Sequence, residues 1–104
     1  MAIDENKIEE LRTKHGEVWQ IDGLQVDVAC RCPTQAEWRK FITTVSDEKR
    51  RALALEELAN RVVVYPDTAT WNAMCERRPG LPTKVAEAVQ EIATEAQTDV
   101  AKKL

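Results

Sequence analysis

The sequence predicts an α+β fold: an N-terminal helix over residues 1–15, a β-hairpin over 17–32, and about four helices over 34–104 packed on one face of that hairpin. Three observations carry this expectation. Residues 16–32, GEVWQIDGLQVDVACRC, alternate polar and apolar side chains, which is the period of a strand with one buried face. Immediately afterwards PTQAEWRKFI changes to helical spacing and carries its own start signal. The chain has 104 residues, 43% of them hydrophobic and 32% charged, enough for one modest core and too few for two, so a single domain is expected.

The first helix places Ile3, Ile8 and Leu11 on one side, has Asp4 and Glu5 near its start, and stops at Lys14, His15 and Gly16. Cations in a last turn and a glycine just beyond it are favourable helix ends. Two strands follow, residues 17–21 and 24–32, joined at Asp22-Gly23, a dipeptide that accepts the positive φ of a tight hairpin turn. Leu24, Val26, Val28, Cys30 and Cys32 then share one face, which a helical layer must cover because a two-stranded hairpin alone is marginal in water.

Pro33 blocks further strand, Thr34 can cap, and Glu37 completes a capping box; Trp38, Phe41, Ile42 and Val45 follow as an apolar face. Ser46, Asp47 and Glu48 restart a helix along Ala52, Leu55, Leu58, Ala59, Val62 and Val63, and Pro66 ends it. Asp67 or Thr68 opens a shorter helix with Trp71, Met74 and Cys75, halted by Arg78-Pro79-Gly80. Pro82 begins a last helix through Val85, Val89, Ile92, Ala93, Ala96 and Val100. Its apolar spacing alone fits the core or a second chain, and core packing is the favoured use because so small a chain has little other apolar area to close its hairpin; self-association stays open.

Fifteen basic and 18 acidic residues are interspersed, with a net charge of −3, so no charge block attracts nucleic acid or an anionic membrane. Residues 1–12 lack the pattern of a secretory signal, and the apolar run at 62–65 is far below the roughly 20 residues that cross a bilayer. Three cysteines, an odd number, suit a reducing cytoplasm better than a disulfide framework.

His15, Cys30, Cys32 and Cys75 are the soft-metal ligands, but a C-x-C pair with two remote singles lacks zinc-knuckle spacing, and free thiols buried in a strand face and a helix face are expected instead. Capping accounts for His15, so no nucleophile and base are paired, and a non-enzymatic chain with no cofactor and no metal is expected. Lys49-Arg50-Arg51 falls at the start of a helix, where cations gain nothing from the dipole, and Arg77-Arg78 forms a second small basic spot. Trp38 and Trp71 fit helix core faces. Trp19, beside Val18 on the hairpin, is the tryptophan that alternation allows to point outward.

Three short pieces resemble the small tail assembly chaperones and related tail-assembly proteins of tailed bacteriophages. These are Arg31-Cys32-Pro33-Thr34-Gln35-Ala36-Glu37 at a strand-to-helix junction, Val63-Val64-Tyr65-Pro66-Asp67 at a helix end, and Arg78-Pro79-Gly80-Leu81 in a loop before a C-terminal helix. The likeness spans about residues 14–95 and weakens over the Ala- and charge-rich residues 91–104. It implies a non-enzymatic protein of the host bacterial cytoplasm that binds tail tube subunits or the tape measure protein during tail building. A structural virion or head-to-tail connector component and a small inhibitor of a host protein are the alternatives. The expected contact surface is the hairpin, with Trp19 and the free edge from Glu17 to Ile21 at its centre and Lys49, Arg50 and Arg51 as rim contacts, because an open strand edge accepts an added strand.

Overall fold

Sequence-encoded caps set most element boundaries. A computed structural model describes residues 3–95 and 101–104. Along the chain run α1 (Glu5–His15), β1 (Val18–Ile21), β2 (Ala29–Arg31), α2 (Gln35–Val45), α3 (Arg51–Val62), β3 (Val63–Tyr65), α4 (Thr68–Arg77), α5 (Leu81–Ala93) and β4 (Ala101–Lys103). The fold is α+β, with an N-terminal helix, a four-stranded antiparallel sheet in the order β3-β2-β1-β4, and five helices among the described residues. Asp4 caps α1 by accepting the Asn6 N–H, and Gly16, at φ 80°, turns the chain out of it. Asp67 caps α4 by accepting from the Thr70 N–H, and Pro82 stands in the first turn of α5.

The junction between β2 and α2 is built as expected and then extended. The Glu37 N–H donates to the Thr34 hydroxyl at 3.2 Å, and the Thr34 N–H donates back to the Glu37 carboxylate at 2.8 Å. Such a cap contributes about 1 kcal/mol. The same carboxylate takes both arms of the Arg31 guanidinium, at 2.8 and 2.9 Å, and Arg31 also donates to the Arg61 carbonyl at 3.0 Å. One side chain thereby ties the end of β2, the first turn of α2 and the last turn of α3.

The hairpin differs from its expected form. Ile21 pairs with Val28, its N–H donating to the Val28 carbonyl at 2.9 Å, where a turn at Asp22-Gly23 would have paired it with Leu24. Gly23 does adopt φ 82°, but inside a loop over residues 22–28. The displacement is an even number of residues, so Val28 and Cys30 keep their inward face while Leu24 and Val26 leave the strand. Cys32 is exposed rather than inward, because β2 ends at Arg31 and Pro33 follows.

Both faces of the sheet are covered. On one, Ile21, Val28 and Cys30 pack with Phe41, Leu58, Val62, Trp71, Val85, Val89 and Ile92 in the main core. On the other, Ile3, Leu11, Val18 and Ala29 are buried but stand outside that cluster, and Leu11 and Tyr65 line a common cavity between α1 and the end of β3. The four later helices thus share one face of the sheet as expected, and α1, which the sequence left unplaced, shields the reverse side. The expected helix end at Val63 becomes β3, since three consecutive β-branched and aromatic residues fit a strand beside β2. β4 pairs with β1, where a continuous last helix was expected; α5 instead stops at Ala93, with Glu95 at φ 55°. The expected helical positions Ala96 and Val100 lie outside the described residues.

Helix faces hold with local exceptions. Trp71 is buried and its indole N–H reaches Asn60 at 2.8 Å, while Trp38 is half-buried, tilted 39° against Phe41 at 5.3 Å between centroids. Ile42 is 45% exposed, one residue off the Phe41–Val45 line, and Thr44 is buried in its place with its hydroxyl donating to the Lys40 carbonyl. In α3, Ala54 is buried and Ala52 exposed, because Ala54 shares the face of Leu58 and Val62 at spacings of four; the helix begins at Arg51 rather than in the Ser46–Glu48 turn. α5 turns Val85, Val89 and Ile92 into the main core, which resolves its two expected uses in favour of core packing.

The Arg31 hydrogen bonds, against partial burial and aided by the Thr34 N–H, lower the Glu37 pKa from 4.5 to about 2. Because the folded value is depressed, the stabilisation is complete above 4.5 and is lost as the pH falls toward about 2. The unfolding midpoint should therefore drop across that window, and Glu37→Gln should make the drop shallower. Parallel pH profiles for the two proteins would contradict the assigned ion pair.

Candidate functional site

The 22–28 loop, freed from the hairpin, faces the turn between α4 and α5 across an open groove of about 720 Å³. Its position follows from local rules. The Arg78 N–H closes α4 on the Met74 carbonyl at 2.9 Å, and the Leu81 N–H returns to the Arg78 carbonyl at 3.0 Å, so residues 78–81 turn tightly into α5. Leu24, Val26, Met74, Pro79 and Leu81 supply apolar lining. Val26 is 39% exposed, one of three large aliphatic side chains left so open among the described residues. Arg77, Arg78 and Lys84 supply charge, and no carboxylate lines the groove although the chain as a whole is at −3.

Lys84 also borders a neighbouring cavity of about 400 Å³ that Asp22, Glu87 and Glu91 make acidic. On the reverse face, a cavity of about 570 Å³ between α1 and residues 64–70 mixes Lys7, Glu10, Lys14 and His15, with Lys7 and Glu10 paired at 3.3 Å. Partial burial, then Lys14 and Arg31, pushes the His15 pKa below its usual value and favours the neutral imidazole.

The structure does not bring the six residues expected at the contact surface together on one exposed face. β1 lies between β2 and β4, and the Leu104 N–H donates to the Val18 carbonyl at 2.9 Å, so the edge expected to be free is occupied by the chain itself. Ile21 is 3% exposed and belongs to the core. Trp19 is half-buried and packs on the same core, with its indole nitrogen buried and without a hydrogen-bond partner. Glu17 is exposed and pairs with Lys103 at 2.8 Å. Lys49 and Arg50 are exposed in the turn between α2 and α3; Arg51 opens α3 and donates to the Val45 carbonyl at 3.1 Å. None of the six lines the groove. The groove itself was only half legible: Arg77-Arg78 is a visible basic spot, but Leu24 and Val26 reach it only through the lengthened loop.

The thiols are unsuited to nucleophilic work. Burial, with a smaller contribution from Cys32, pushes the Cys30 pKa up to about 12. Partial shielding and then Glu17 raise that of Cys32, and partial burial and then Glu56 raise that of Cys75, so all three stay protonated at neutral pH. Among the described residues no three His, Cys, Asp or Glu side chains gather where they could hold a metal ion. No helix among them is long and apolar enough to cross a membrane.

No family model and no curated protein matches the chain. Among solved structures it is similar to the uncharacterised protein rbstp2171 from Bacillus stearothermophilus. The TM-score is 0.72 at 20% sequence identity, over 88% of this chain and 95% of that one. At that identity the likeness establishes a shared fold.

Alkylation separates the thiols. Iodoacetamide on the native protein should modify Cys32 first, Cys75 more slowly, and Cys30 only in denaturant, as read by peptide mass spectrometry. Native labelling of Cys30 at the Cys32 rate would contradict its burial.

Proposed function

We propose that this protein is a non-enzymatic phage tail assembly chaperone that binds tail tube subunits or the tape measure protein. The observation that carries the reading is where the three pieces resembling that family fall. The Arg31–Glu37 piece is the clamped junction, the 63–67 piece is β3 and the cap of α4, and the 78–81 piece is the turn lining the groove. Two of them fix the scaffold and the third faces solvent beside an apolar, cationic concavity. That is an arrangement suited to holding another protein, and thiols held in their protonated form favour binding over covalent chemistry.

The reading moves the client surface from β1 to the groove, because β1 has no open edge. Strand addition remains geometrically available at the outer sides of β3 and β4, but each is only three residues long and offers few backbone partners.

Co-expression with the tail tube and tape measure proteins encoded in the same genome tests the proposal. Soluble client yield should rise several-fold, with a co-purifying complex, and the chain should be absent from purified particles. Unchanged yield for both clients would overturn the proposal, as would stoichiometric retention in the virion, which marks a structural component.

A further inference from the structure

We propose that the groove between the 22–28 loop and the α4–α5 turn captures an acidic protein segment that carries apolar anchor side chains. The inference rests on the chain being a protein-binding module, and adds the chemistry of what is bound.

Charge and shape together select that occupant. Three cations and no anion line the groove in a chain with three more acidic than basic residues, so the charge of the groove is opposite in sign to the net charge of the chain. Arg77 and Arg78 make no ion pair among the described residues; the one side-chain hydrogen bond between them runs from the Arg78 guanidinium to the Arg77 carbonyl at 3.1 Å. Both guanidiniums are exposed and keep donors for a carboxylate, which their planar fork can take bidentately. Beside them Val26 and Leu81 offer apolar surface, with the largely buried Met74 also in the lining, and about 720 Å³ accommodates a few anchor side chains.

Other occupants fit less well. A two-fold pair of copies meeting at this groove would set Arg77 and Arg78 against their own equivalents, a like-charge contact. Nucleic acid would meet a net negative chain at a groove with no aromatic residue on which a base could stack.

Fluorescence anisotropy with a fluorescein-labelled peptide alternating leucine and phenylalanine with glutamate tests the proposal. A lysine-for-glutamate peptide and a labelled single-stranded oligonucleotide are the comparison probes. The acidic peptide should bind saturably and more weakly as salt rises, and the lysine peptide should not bind. R77E/R78E should weaken binding roughly tenfold or more, R77Q/R78Q less, and V26D comparably to the charge reversal, all with parental circular dichroism because these positions are exposed. Several results would overturn the proposal: no saturable binding of the acidic peptide, equal affinity for the lysine peptide, affinity unchanged in the variants, preferential binding of the oligonucleotide, or a dimer in solution that V26D dissociates. Peptide binding that persists while co-expression leaves both tail clients insoluble would uphold the groove and reject the tail-assembly reading. Soluble clients with no peptide binding would do the reverse.

Discussion

The Arg31 guanidinium is the contact on which the arrangement of this chain depends. β2 has only three residues, too few to fix its neighbours through backbone hydrogen bonds alone. Its last residue reaches forward to Glu37 in the first turn of α2 and across to the Arg61 carbonyl in the last turn of α3. The chain leaves the sheet after Arg31 and re-enters it at Val63, two residues beyond that carbonyl, so one side chain closes the whole α2–α3 excursion. Exposed ion pairs typically contribute about 0–1 kcal/mol. This one is bidentate and largely shielded, with 23% and 17% of the Arg31 and Glu37 side chains exposed, which places it among the stronger charge-assisted contacts.

Closing that excursion brings β3 against β2, and the C-terminal residues bring β4 against β1, so a two-stranded hairpin becomes the centre of a four-stranded sheet. The main helical layer covers one face and α1 the other. A sheet so enclosed has little of its middle to offer a partner. An accessible apolar surface lies instead at the rim, where the 22–28 loop and the α4–α5 turn converge and where the charged lining residues are all cations.

Local signals were legible because their physics is local. The Thr34–Glu37 box, the Gly16 stop, the Asp67 cap and Pro82 each act within one helical turn, and each lies at or within a residue or two of the expected boundary. Non-local features were not. The 63–65 run fits a helix end and a strand about equally by sequence, and the partner that decides, β2, lies more than 30 residues earlier. The Asp22-Gly23 dipeptide suits a tight turn, and only the packing of Leu24 on the core and Val26 at the groove, with Gln20 held to Asp27 at 3.1 Å, lengthens the loop. The orientation of Trp19 was open for a related reason: alternation left its face undecided, and pairing with buried Cys30 places it on the core side.

Amide hydrogen exchange in Arg31→Lys tests the central role of the clamp most directly. Lysine keeps the charge and loses the fork that holds Glu37 and Arg61 together. Faster exchange at the amides of β3 and its partners in β2, outpacing any change in α5, is the predicted result. A folded variant whose β3 amides exchange at the parental rate would contradict it, and would mean that packing of Val63 alone docks the strand.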